Sequence, residues 1–116
     1  MMDQIKMDAI QNILNDFAEK EVYVHLETTN GAYASHFGKG AYNSGAYIRN
    51  AKINYELATI LGEGPYRVGI KMDIGWIYAE GLTHYLLDEQ NRLLLAGLNE
   101  EGKLAVALQI STTPFE

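Results

Sequence analysis

Apolar positions near the start of the chain recur at close to 3.6 residues: Ile5, Ala9, Ile13 and Phe17, with Ile10 and Leu14 widening the stripe. This spacing predicts an amphipathic helix within residues 1–20. Asp3 is the expected N-cap and Lys20 stands near the C-terminal end, where a cation is favoured. From residue 21 the period shifts to two, and the remainder, 21–116, reads as strand and turn. A hairpin is expected over Glu21–Phe37, and strands follow at Ala46–Tyr55, Leu57–Leu61, Tyr66–Met72, Trp76–Glu80, Leu82–Leu87, Arg92–Leu98 and Lys103–Ile110. Turn-like segments separate them: Gly62-Glu63-Gly64-Pro65, Asp73-Ile74-Gly75, Asp88–Asn91 and Asn99–Gly102.

The last two turns belong to a short repeat. DEQNRLLLAGL from Asp88 aligns with NEEGKLAVALQ from Asn99, a turn plus a strand repeated. With no long helical crossover after residue 20, parallel strands are excluded. The expected fold is mainly β: an N-terminal helix and an antiparallel meander of about eight strands, closed as a barrel or packed as a sandwich. The strands from Arg92 onward, LLLAGL and LAVAL, are apolar on both faces. They are central, or covered by the helix or by a second subunit, and a homodimer is one expectation.

The hairpin EVYVHLETTNGAYASHF, Glu21 to Phe37, offers the first candidate site. Asn30-Gly31 suits a type I′ turn, in which both positions need positive φ. That turn would set Thr29 opposite Ala32, Glu27 opposite Ala34 and His25 opposite His36. His25, Glu27 and His36 would then share one face, opposite Val22, Val24, Leu26, Tyr33 and Phe37. Two histidines and a carboxylate can hold a divalent metal with an open coordination position. The plainer reading of the same face is solvated polarity.

A second cluster lies in GWIYAEGLTHY from Gly75. Alternation puts Trp76, Tyr78 and Glu80 on one face, and a bulge at Gly81 would turn His84 toward them. A carboxylate beside aromatic rings suits a polar, sugar-like or cationic ligand, although Trp and Tyr in strands more often pack. Arg49 and Arg67 are isolated arginines within strands, suited to an anion or a salt bridge. The two G-x-G-x-Y segments, at Gly38 and Gly62, join strands rather than opening a helix and read as turns, not dinucleotide fingerprints. Ser35, Ser44 and Ser111 lack any nucleophile-elbow context.

Composition narrows the function classes. A single domain of 116 residues can bury a core of its own. The formal charge of −6, with Lys and Arg scattered singly, offers no basic surface for nucleic acid or anionic membranes. The absence of cysteine removes disulfides, thiolate metal sites and cysteine nucleophiles. No apolar run approaches the ~20 residues needed to span a bilayer, and MMDQIKMDAI lacks a signal-peptide core, so a cytoplasmic location is expected.

VYVHLETTNGAYASHF, YIRNAKINYE, GEGPYRVGIKM, GWIYAEGLTHY and EGKLAVALQI together closely resemble the YojF-like family, small uncharacterised proteins of bacilli and related bacteria. The resemblance runs over nearly the whole chain. It implies a cytoplasmic single-domain β protein with no established activity and no catalytic residues to carry over. It also implies a protein partner, because genes of the family often sit beside a deacetylase of the bacillithiol-biosynthesis type. Three functional classes follow, in this order: a non-catalytic accessory or binding protein linked to low-molecular-weight thiol metabolism, a metal-binding protein or metal-dependent enzyme, and a small-ligand binder.

Overall fold

The computed structural model describes residues 2–29 and 44–116. Its elements run β1 (Asp3–Gln4), α1 (Met7–Phe17), β2 (Glu21–Thr29), β3 (Gly45–Asn54), β4 (Leu57–Gly62), β5 (Tyr66–Met72), β6 (Gly75–Leu82), β7 (His84–Leu87), β8 (Leu93–Leu98) and β9 (Leu104–Ser111). They form two antiparallel sheets, ordered β1-β7-β8-β9-β2-β3 and β4-β5-β6. The fold is therefore an open sandwich rather than a closed barrel. It is also not one meander. The chain makes two meanders in different sheets, β4-β5-β6 and β7-β8-β9, and β9 returns alongside β2, the first long strand, to complete the larger sheet.

The inner faces read directly from the alternation. Val22 and Val24 of β2, Leu93 and Leu95 of β8, and Leu108 and Ile110 of β9 meet Ile60, Val68, Ile70 and Ala79 of the smaller sheet. Helix α1 adds Ile10, Leu14 and Phe17 to this core. Two details of its start differ from expectation. Asp3 and Gln4 are not a cap but pair with Tyr85 and His84 on β7, and the N-cap position is Lys6, which makes no side-chain capping bond. Pairing with an open sheet edge satisfies more backbone groups than one cap can. The helix ends at Phe17 with no basic residue in its last turn, so Lys20 lies beyond it.

The helix also shields an edge strand. The Gln11 side chain donates to Ala58 O at 2.8 Å and accepts from Ile60 N–H at 3.1 Å, standing in for a neighbouring strand along β4. Tyr55, wholly buried, donates its hydroxyl to Leu14 O, and burial pushes its phenol well above the ordinary range. Where β6 passes into β7, Gly81 bulges out at φ +84 between the pairs Tyr66–Leu82 and Arg67–Glu80. A Cβ on Gly97 would lie 2.1 Å from Gly81 O, so only glycine lets the two sheets approach here.

The eleven-residue repeat is visible in three dimensions. Asp88 Oδ1 accepts from the Gln90 and Arg92 amides, and Asn99 Oδ1 accepts from the Glu101 and Lys103 amides at the same offsets. Asn91 and Gly102 take the positive-φ position of each turn. Among the described residues, no helix is long and apolar enough to cross a membrane.

Candidate functional site

The predicted hairpin register is not the one observed. Thr29 stands opposite Gly45 and Glu27 opposite Tyr47, in place of Ala32 and Ala34, while β9 pairs with the other edge of β2. A turn signal is local and fixes only its own neighbours, whereas Leu108 and Ile110 on β9 bring a continuous apolar face to β2. Asn30, Gly31 and His36 lie outside the described residues.

His25 and Glu27 do come together. Opposite them, β3 carries a bulge: Val24 pairs with Ala51 and Leu26 with Ile48, so Arg49 and Asn50 jointly oppose His25. Asn50 adopts φ +58, a left-handed conformation that asparagine tolerates better than most residues. The bulge brings the Arg49 and Asn50 side chains to bear on the outer face of the larger sheet.

That face holds a polar network built around one buried side chain. His25 is only 6% exposed. Its Nε2 lies 3.1 Å from Glu27 Oε1 and its Nδ1 lies 3.3 Å from Arg49 Nη1. A guanidinium only donates, so Nδ1 is the acceptor and Nε2–H donates to Glu27. Both ring nitrogens are thereby engaged, and an ion at His25 would have to displace Arg49 or Glu27. Among the described residues, no group of three His, Asp or Glu side chains is placed to hold a metal.

The network is roofed by residues 112–116, which fold back over it. Phe115, 6% exposed, sits with Arg49 5.3 Å and Arg92 6.0 Å from its ring centroid, and His25 meets its edge. Asn50 binds both backbone groups of Phe115, Nδ2 donating to its carbonyl and Oδ1 accepting from its amide, each at 2.7 Å. Arg49 also donates to Glu116 O. Arg92 is anchored from behind by Asp88 at 2.6 Å. Partial burial pushes the Asp88 carboxyl up, but hydrogen bonds from Arg92 and from the Gln90 amide outweigh it and hold the carboxyl below its ordinary range.

Trp76, Tyr78 and Glu80 share the outer face of the smaller sheet, as alternation predicts. The two rings are near-parallel, with centroids 5.9 Å apart, and Tyr78 lies over Gly69 on β5. They stand in the open, 56% and 59% exposed, beside half-exposed Leu57 and Leu61. Register places Lys71 between Leu57 and Trp76, and Arg67 between Leu61 and Glu80. His84 is elsewhere: beyond the Gly81 bulge the chain has entered the larger sheet. Its Nδ1 is 2.7 Å from Thr83 Oγ1, and it lines a cleft of about 360 Å³ with Gln4, Glu63 and Tyr66.

Asn50, Arg92 and Phe115 were not singled out by the pattern. A signal existed for one of them: an Arg-Asn pair inside a β run marks a strand interruption, because asparagine is depleted in strands and tolerates positive φ.

This arrangement belongs to a shared fold. The model of the family "Protein of unknown function (DUF1806)" matches residues 4–115. The chain belongs to that family. It is 54% identical over 114 residues to the uncharacterized protein YojF of Bacillus subtilis (strain 168), covering 98% of each chain. The crystal structure of Bacillus subtilis YojF superposes with a TM-score of 0.82 at 50% identity, over 99% of this chain and 97% of that one. The resemblance read from the sequence blocks is therefore a true family relationship.

Proposed function

We propose that this protein is a non-catalytic accessory protein of the cytoplasm, and that it docks a partner protein through the outer face of its three-stranded sheet. The observation that carries this reading is the Trp76–Tyr78 pair, stacked yet more than half exposed on an open face. Exposed aromatic clusters with flanking arginine are the usual composition of contact surfaces and their hot spots. Arg67, Lys71 and Glu80 supply the polar part of the same face. On the larger sheet, His25 has both nitrogens engaged, and buried Ser111 bonds Thr113.

The size of the face favours a transient contact over a permanent homodimer. Three strands about 4.8 Å apart and six residues rising about 3.3 Å each cover roughly 300 Å². A stable interface needs about 800 Å² from each partner. The family resemblance supplies the first partner to try, a bacillithiol-type deacetylase.

Trp76 is the sole tryptophan of the chain, so its emission, after subtraction of the partner's own, reports on this face. Titrating purified deacetylase should shift that emission to shorter wavelength, and Tyr78→Ala should weaken the apparent affinity by about tenfold or more. An emission spectrum unchanged at tens of micromolar partner would reject the docking face for this partner.

A further inference from the structure

We infer that the slot formed by Arg49, Asn50 and Arg92 is a recognition site for an extended chain segment bearing an aromatic side chain. In this structure the chain's own residues 112–116 fill it, and a segment of a partner protein can take their place. The inference rests on the opposite sheet from the docking face and is independent of it.

The slot reads a peptide in the way a peptide-binding site does. The Asn50 side chain satisfies the amide and the carbonyl of one residue, Phe115, which fixes an extended backbone without regard to its sequence. The Arg49 and Arg92 guanidiniums lie against the ring of that same residue, which selects for an aromatic side chain. Arg49 then bonds the carbonyl of the following residue. Three features of one dipeptide, backbone, ring and next carbonyl, are met together by three side chains, Arg49 serving both the ring and the carbonyl.

The occupant is separable from the fold. Phe115 lies on the far side of the larger sheet from the hydrophobic core and is not part of it. Thr112, Thr113, Pro114 and Glu116 are exposed. Among the described residues, 112–116 make no backbone-to-backbone bond with the rest of the molecule; the bonds that reach the body come from Arg49 and Asn50 and, at the root of the segment, from the Ser111 hydroxyl to Thr113. The segment can therefore lift away while both sheets and the core remain intact. What would then be presented is Asn50 with two guanidiniums, one of them, Arg92, held in place by Asp88.

Two measurements test this on the full chain. The first is native-state hydrogen exchange on the unmodified protein. The Phe115 amide, bonded to Asn50, should exchange at least about 100-fold faster than the Leu108 amide in central β9, after correction for intrinsic rates, because it opens locally. Equal protection of the two would mean that the segment releases only on global unfolding, and the inference would fall. The second adds the hexapeptide Ser-Thr-Thr-Pro-Phe-Glu in trans. It should accelerate Phe115 exchange further in the unmodified chain and bind Phe115→Ala directly, whereas the same peptide with Ala for Phe should do neither. Tyr78→Ala should leave this binding unchanged. Fast exchange with no effect of the peptide would also overturn the inference. Should Phe115→Ala fail to fold, the exchange measurements on the unmodified chain still decide.

Discussion

On the outer face of the larger sheet, His25, Glu27 and Arg49 are tied to one another and roofed by Phe115. On the outer face of the smaller sheet, Trp76 and Tyr78 stand uncovered beside Arg67 and Lys71. The expected roles of the two faces are thus exchanged. Ionisable side chains, which most often carry chemistry, are consumed in holding a segment of the chain, while aromatic side chains, which most often build cores, are left in water. His25, the buried member of the cluster, needs a partner for each ring nitrogen, and Glu27 and Arg49 supply them. Exposed rings carry no such obligation, and Trp76 and Tyr78 cover one another only in part.

The sharpest way to break the contrast is Phe115→Ala. Removing the roof should destabilise the fold by about 2–3 kcal/mol, below the cost of a central core phenylalanine because the site lies at the surface and can partly collapse. Urea unfolding measures it, and a loss under about 0.5 kcal/mol would show that the roof contributes little to stability. Next is Asp88→Asn, which converts one turn of the repeat into its twin at Asn99. The amide acceptor is kept and the charge behind Arg92 is lost, for an expected cost of about 0.5–1 kcal/mol near neutral pH. Because the folded carboxyl is held below its ordinary range, its contribution is present above the unfolded value near 4 and disappears as pH falls through the lower folded value. The variant should therefore show a flatter loss of stability under acid. An unchanged acid slope would remove Asp88 as its cause. The smallest effect belongs to the open face: Trp76→Ala should leave stability within about 0.5 kcal/mol. A larger loss in urea unfolding would mean that the ring supports the sheet rather than waiting for a partner.

Much of this was legible in the residues. Strand limits fell within two positions from β3 through β9, because alternation and Asx-type turns are short-range signals carried by the strands themselves. The Gly81 bulge and the shared face of Trp76, Tyr78 and Glu80 have the same origin. His84 could not be assigned to that face, since the bulge is also where the chain changes sheets, and a change of sheet is decided by Ala96 and Gly97 well beyond it in the chain. The pairing of His25 was likewise a long-range matter. A local turn motif competes with every other strand for β2, and β9 offers it an apolar match in Leu108 and Ile110.

Residue spacing and local motifs were enough for an N-terminal helix, a train of antiparallel strands, the repeated turn, the faces of individual strands and membership of a family. Each of these depends on residues within a few positions of one another, or on the chain as a string of blocks. Tertiary structure alone decided that the strands divide into sheets of six and three, that β9 closes against β2, and that Phe115 ends between Arg49 and Arg92. Those outcomes join residues as distant in the chain as Tyr23 and Ser111, where the balance of buried area and satisfied hydrogen bonds over the whole molecule outweighs any local preference.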